Sequence, residues 1–217
     1  MENILQETEQ KIESEECLDS WKCQEGAISF EGAFVRYRPN QDYVLTNMSL
    51  EIAPSAKIGI VGRTGAGKST IGLCLTRILE LSEGTIKIDG TDIASIPLKT
   101  LRDQITVIQQ EPTLFNGSLH FNCDPTLDRA QAAKVKSLLH EAGLGYLLER
   151  SNDKKSIEFP KKKKGFYEYG LQFRISEEGG NLSAGEKQLI CIVRAIIRKN
   201  RIIVLDEATA NIDVVTE

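Results

Sequence analysis

With 217 residues, 41% of them hydrophobic, the chain can bury a substantial core in one or two domains. A formal charge of −4 sets it apart from proteins built to coat nucleic acid, and no nucleic-acid partner is expected. No apolar run approaches the roughly 18–20 residues of a membrane helix, and residues 1–16 are acidic and polar, so neither a membrane span nor an export leader is expected. The five cysteines, Cys17, Cys23, Cys74, Cys123 and Cys191, lack C-x-x-C spacing and suit free thiols in a reducing compartment; Cys74 and Cys191 lie in apolar helical patterns and read as core residues.

Residues 1–25, rich in Glu, Gln, Ser and Lys, read as a linker with room for a short helix, and folding is expected to begin near Ile28. Residues 28–30, 33–35 and 48–52 alternate as half-buried strands, with Pro39, Asn40, Gln41 and Asp42 as a turn between the second and third. They predict a small antiparallel sheet. Tyr37 closes its second strand, where the ring suits stacking on an adenine; taken alone it is equally an ordinary cross-strand aromatic.

Next come Ile58, Gly59, Ile60 and Val61, a short apolar run that reads as a buried strand. It feeds Gly62-Arg63-Thr64-Gly65-Ala66-Gly67-Lys68-Ser69, which fits G-x-x-x-x-G-K-[ST]. Beyond the loop, Ile71, Cys74, Leu75, Ile78 and Leu79 mark one face of a helix. Gly62, Gly65 and Gly67 let successive backbone N–H groups turn toward phosphate oxygens, reinforced by the positive end of the helix. Lys68 is expected to reach the β- and γ-phosphates and the Ser69 hydroxyl to ligate Mg²⁺.

Residues 84–90 predict a strand bounded by turns, residues 98–103 a short helix, and residues 105–108 a strand returning to the core. That strand runs into Gln109, Gln110, Glu111 and Pro112, where the proline stops regular structure. A glutamine here suits orienting the attacking water or touching Mg²⁺, though loop glutamines are usually solvated. Residues 118–181 look helical and less regular, with a helix over 130–141 stopped by Gly143 and a further turn or two over 144–150. Lys161 to Lys164 read as a solvated loop, and His120 and His140 as structural residues.

Ser183 with Glu186 forms a capping box, and Leu189, Ile192, Val193, Ile196 and Ile197 predict the buried face of a helix ending near Asn200. Residues 202–205 read as a strand buried on both faces, as in a parallel sheet. It delivers Asp206, suited to holding Mg²⁺ through water, and Glu207, suited to polarising a water in line with the γ-phosphate.

Taken in order, these residues resemble the nucleotide-binding domain of ABC transporters. Tyr37 matches the aromatic A-loop, residues 62–69 Walker A, Gln110 the Q-loop, and residues 182–186 the LSGGQ-type signature, with Ala184 in place of a glycine. Residues 202–207 match Walker B, and Ala210, Asn211, Ile212 and Asp213 the D-loop. The stretches 36–39, 59–69, 114–119 and 122–125 look most like the second such domain of the C, or multidrug-resistance-associated, subfamily.

The resemblance implies an α/β fold: a P-loop NTPase core with a mainly parallel sheet, an N-terminal antiparallel β-subdomain and an inserted α-helical subdomain over about 113–190, all within 26–217. Lys68, Gln110 and Glu207 take catalytic roles. ATP is held by Tyr37, Gly62, Thr64, Gly65, Ala66, Gly67, Lys68, Ser69 and Thr70, with Ser183 and Gly185 facing a partner's ATP, and Mg²⁺ by Ser69, Gln110 and Asp206. The implied function is an ATPase powering export of organic anions or conjugates, paired head to tail with a second such domain and joined to transmembrane domains at the cytoplasmic face of a membrane. The alternatives are a soluble ABC ATPase fragment and a non-hydrolysing ATP-binding module. Residues 208–217 are all that follow Glu207, so the family's switch histidine and last core strands are expected to be missing and turnover weak.

Overall fold

Ile28, Phe30, Ala33 and Val35 are all buried, although strict alternation would put the second pair on the opposite face from the first. A bulge reconciles them. In the computed structural model, which describes residues 18–150 and 171–206, they lie on a single strand, β1 (Ile28–Val35), whose ladders to both neighbours shift register between residues 30 and 35. Gly32 takes φ +55 at the shift, and Gly84 of the neighbouring strand approaches so closely that a Cβ there would stand 2.3 Å from the Gly32 carbonyl oxygen. The two strands expected over 28–30 and 33–35 are therefore one.

With β2 (Leu45–Ile52), β3 (Glu83–Ile88) and β4 (Thr91–Asp92), β1 forms an antiparallel sheet in the order β2-β1-β3-β4. The core it covers includes Phe30, Ile86, Ile88, Ile96 and Leu101, joined by Cys74 and Leu75 of α1 (Lys68–Leu75) and by Ile105 and Ile202. Leu101 comes from α2 (Leu98–Gln104). This is the first of two units, residues 18–106 with 201–204 among those described.

Two expectations fail here. Residues 58–61 form no strand: Ile58, Ile60 and Val61 are exposed, Val61 at 96%, because no described strand pairs with them and an extended run without a ladder gains neither hydrogen bonds nor cover. The helix after the loop also stops early, leaving Ile78 exposed. Thr76 Oγ1 donates back to the carbonyls of Gly72 and Leu73, and the Arg102 guanidinium donates to those of Thr76 and Arg77 at 3.0 and 2.9 Å. Oxygens at the helix end are thus satisfied from outside, and Arg77 turns left-handed at φ +49.

The second unit comprises residues 107–200 with 205 and 206. It contains α3 (Leu119–Cys123), α4 (Ala132–Glu141), α5 (Gly145–Arg150) and α6 (Ala184–Arg198), around a core that includes Leu119, Val135, Leu139, Leu147, Leu171 and Ile190. The irregular helical reading holds for most of 118–150, with Gly143 at φ +73 after α4. The two-residue strands β6 (Gly117–Ser118) and β7 (Arg174–Ile175), which pair antiparallel, are not expected from the residue pattern. The buried face of α6 is also displaced from the expected one: Gln188, Ile190, Cys191, Val193, Ala195 and Ile197 are buried while Ile196 is exposed. His120 is buried and His140 exposed.

Strands β5 (Ile105–Ile108) and β8 (Ile202–Leu205) form a two-stranded sheet. β8 is not buried on both faces, since Ile203 and Leu205 are exposed. Only β5 pairs with it among the described residues. Lys161 to Lys164, Glu207 and the D-loop positions lie outside the described residues.

The segment before β1 is fastened by one carboxylate. Asp89 Oδ2 accepts the N–H groups of Gln24 and Glu25 at 2.8 and 3.1 Å, and Oδ1 those of Gly26 and Ala27 at 2.9 and 2.8 Å. Partial burial pushes its pKa up, but these donors outweigh it and leave the carboxyl below its usual value. Stability from a depressed carboxyl is complete above about pH 4, the unfolded value, and is lost as pH falls through the folded one. Asp89→Asn, which keeps an acceptor and tolerates the residue's φ of +49, is expected to lower unfolding free energy at pH 7 by about 1–3 kcal/mol and to flatten its decline in acid. Urea titrations at pH 7 and across the acid range check this; a wild-type midpoint at pH 7 would show the bracket to be unimportant.

Candidate functional site

The loop between residue 61 and α1 is built on two left-handed glycines, Gly65 at φ +81 and Gly67 at φ +83, the latter the N-cap of the helix. Around Gly65 there is open space, whereas a Cβ on Gly67 would lie 3.0 Å from Leu45 Cδ2 and 3.1 Å from Val44 Cγ1. The loop is thus open where a ligand would approach and tight where it rests on the start of β2. Ala66 donates its N–H to the Arg63 carbonyl at 3.1 Å, closing a turn. Lys68 folds back so that Nζ donates to the carbonyls of Gly62 and Arg63 at 3.0 and 3.1 Å. A cation held by two carbonyl oxygens of its own loop suits an anion site, since a phosphate can take over its donors without a buried ion pair being broken.

Tyr37 belongs to the same place. It lies beyond the end of β1, in the connection to β2, and its hydroxyl meets Thr70 Oγ1 of α1 at 3.0 Å. Thr70 is 3% exposed and Tyr37 52%, so the hydroxyl end is fixed while much of the ring stays open. The connection is ordered by its neighbours: the Arg36 guanidinium lies 5.2 Å over the Tyr43 ring, Phe34 meets Tyr43 edge-on at 5.3 Å, and Gln41 donates to the Arg38 carbonyl at 3.0 Å across the expected turn. The structure therefore brings together Tyr37, Gly62, Gly67, Lys68 and Thr70. The Tyr37–Thr70 pairing was not anticipated, because nothing in residue spacing links a strand end to a helix 33 positions on. Cys74 of α1 has its thiol pushed up to about 11 by burial and then by the Glu80 charge, in keeping with a core residue.

The remaining candidates lie in the second unit. Asp206 donates its N–H to the Ile108 carbonyl at 3.0 Å, which fixes the backbone that bears its carboxylate. Gln109 and Gln110, exposed, leave the end of β5. Ser183 caps α6: its Oγ accepts the Glu186 N–H at 3.2 Å and its own N–H donates to the Glu186 carboxylate. Capping uses a hydroxyl lone pair and leaves the O–H to donate outward. Gly185 sits in the first turn of the same helix.

A family model described as ABC transporter matches residues 45–210. The chain belongs to the ABC transporter family. This ABC transporter domain is 42% identical, over 206 residues, to ATP-binding cassette sub-family C member 3 of Rattus norvegicus, with 95% of the chain and 12% of that relative aligned. To ATP-binding cassette sub-family C member 2 of Homo sapiens it is 45% identical over 192 residues, 88% of the chain and 11% of the relative. The ABC transporter domain therefore spans about an eighth of the length of these relatives. Among solved structures it is similar to a bacterial Atm1-family ABC exporter with ATP bound, with a TM-score of 0.74 and 29% identity over 89% of this chain and 31% of that one. The C-subfamily resemblance read from residues 36–39, 59–69 and 114–125 is thus correct.

Gly67→Ala is expected to destabilise this ABC transporter domain by the roughly 1–2 kcal/mol of a left-handed non-glycine residue plus the close contact with Val44 and Leu45. Gly65→Ala, with the same φ sign but open space around it, should lose only the backbone part. Thermal unfolding of the two variants side by side checks the difference, and equal midpoints would contradict the packing described.

Proposed function

We propose that this ABC transporter domain binds Mg·ATP and hydrolyses it to drive export by a membrane transporter. The observation that carries the reading is the loop itself: an open glycine turn at the N-terminus of α1, a lysine whose donors are held on loop carbonyls, and an exposed tyrosine anchored on Thr70. The phosphates would lie against Gly62, Thr64, Gly65, Ala66, Gly67, Lys68, Ser69 and Thr70, and the adenine against the Tyr37 ring. A similar solved structure carries ATP, which supports the assignment.

Among the described residues no group of three or more His, Cys, Asp and Glu could hold a metal. As the family resemblance implies, the ion would rest on Ser69, Gln110 and Asp206 together with phosphate oxygens, an arrangement suited to Mg²⁺. Mg²⁺ supplies neutralisation of charge between the phosphates. Lys68 adds a second positive charge there, Gln110 orients water, and Glu207 takes the water's proton as general base. Ser183 and Gly185 would face the ATP of a second nucleotide-binding domain paired head to tail, at the cytoplasmic face of a membrane.

Amphipathic organic anions or conjugates are the proposed cargo, a reading supported by the names of relatives rather than by any residue of this chain. Among them are proteins named multidrug resistance protein mrp-7 and bile pigment transporter 1, 40% and 41% identical. The soluble-ATPase and non-hydrolysing readings have no comparable support.

Calorimetric titration with Mg·ATP tests the central claim. Lys68→Ala is expected to lose at least about tenfold in affinity, the scale of one charge-assisted hydrogen bond or more, and Tyr37→Ala about 1 kcal/mol for the stacked ring. Wild-type affinity in Lys68→Ala would overturn the proposal.

A further inference from the structure

Helix α6 turns a stripe of three side chains, Gln188, Cys191 and Arg194, toward the chain that follows β5. Gln188 Nε2 donates to the Gln109 carbonyl at 3.4 Å, Cys191 Sγ to the Thr113 carbonyl at 3.9 Å, and the Arg194 guanidinium to Thr113 O at 3.2 Å and Asn122 O at 2.6 Å. Asn122 closes the bracket, donating to the Phe115 carbonyl at 2.9 Å and accepting the Phe115 N–H at 2.8 Å. Residues 109–115 are thus hung by main-chain atoms from the helix that begins at Ser183. Immediately upstream the Ile108 carbonyl holds the Asp206 N–H. Gln110 therefore leaves the chain next to a residue tied to the signature helix, and two positions after one tied to the backbone of Asp206.

Gln188 is the odd member. It is 1% exposed, its Nε2 makes one long bond, and its Oε1 is buried with no hydrogen-bond partner. Half of a buried amide left unsatisfied is unfavourable for stability, and a leucine of similar volume would avoid the penalty. Fold stability alone does not account for an amide here, whereas setting the position of the Gln109 carbonyl does.

We propose that Gln188 is a positioning residue for Gln110, tying the chain after β5 to the helix whose first turn carries Ser183 and Gly185. This rests on the role given to Gln110 under Proposed function.

Gln188→Leu removes the donor and the orphan acceptor without touching a nucleotide-binding residue. ATP affinity of the 217-residue chain is measured by calorimetry with EDTA and with Mg²⁺, for wild type, Gln110→Ala, Gln188→Leu and the double variant. Wild type and Gln188→Leu are expected to bind Mg²⁺-free ATP alike, and the three variants to share one reduced Mg²⁺ enhancement within about twofold, the double losing no more than Gln110→Ala. A full Mg²⁺ enhancement in Gln188→Leu, or losses that multiply in the double variant, would overturn the coupling. Hydrogen exchange of residues 110–115 without nucleotide reads the tether independently of ATP. Exchange faster by about fivefold or more in Gln188→Leu is expected, and unchanged exchange would overturn the proposal. Absence of ATP binding by the wild type, with exchange altered as expected, would instead refute the reading of the glycine loop.

Discussion

The contact on which the first unit depends is that of Gly67 with Val44 and Leu45. A left-handed residue without a side chain lets the start of the glycine loop's helix rest on the start of β2, and the connection preceding β2 carries Tyr37. Because Thr70 lies one helical turn beyond Gly67, the same seating brings its hydroxyl to the Tyr37 hydroxyl. Sheet, loop and aromatic ring are positioned together by one close approach, which explains why a loop so exposed on its outer side can keep a defined shape. Rigid support on one face and open space on the other is what a site on a loop requires.

In the second unit the corresponding element is α6. Its apolar residues enter the core with Leu119, Leu139 and Leu171, while Gln188, Cys191 and Arg194 hold backbone carbonyls of the chain after β5. One helix thus both completes a core and supports a segment that has no regular structure of its own. Loops are usually costly to order, and a guanidinium donating to two carbonyls, backed by an asparagine that bonds both polar groups of Phe115, offsets that cost with few residues.

Much of this was legible in the sequence, for physical reasons that also mark where it was not. The antiparallel sheet, the glycine loop and the capping box are local patterns in which a few adjacent residues determine the backbone, and the structure contains all three. Residues 58–61 form no strand and 202–205 form one that is not buried on both faces: apolar composition says that a segment would prefer cover, but cover depends on neighbouring strands, and Val61, Ile203 and Leu205 are exposed. The face of α6 was misplaced because a helical wheel weighted by apolar residues cannot foresee that a glutamine is buried while Ile196 is not. Tyr37 with Thr70, Asp89 with four amides, and Arg194 with Thr113 are long-range polar contacts, and no periodicity encodes them.

The capping box illustrates how one residue satisfies two demands. Ser183 must stop the N-terminus of a long amphipathic helix from fraying, and under the proposed function it must also present a hydroxyl to phosphate. These requirements use different atoms. The helix takes an acceptor lone pair through the Glu186 N–H, while the Glu186 carboxylate takes the backbone N–H of Ser183, so the hydroxyl proton stays unassigned to the cap. Alanine at 184 removes no donor from this arrangement, because its contribution is a backbone amide in the first turn, and the Cβ it adds stands at an exposed position. The departure from the glycine of the family pattern therefore leaves the polar groups of the helix start in place and changes only how closely another surface can approach it.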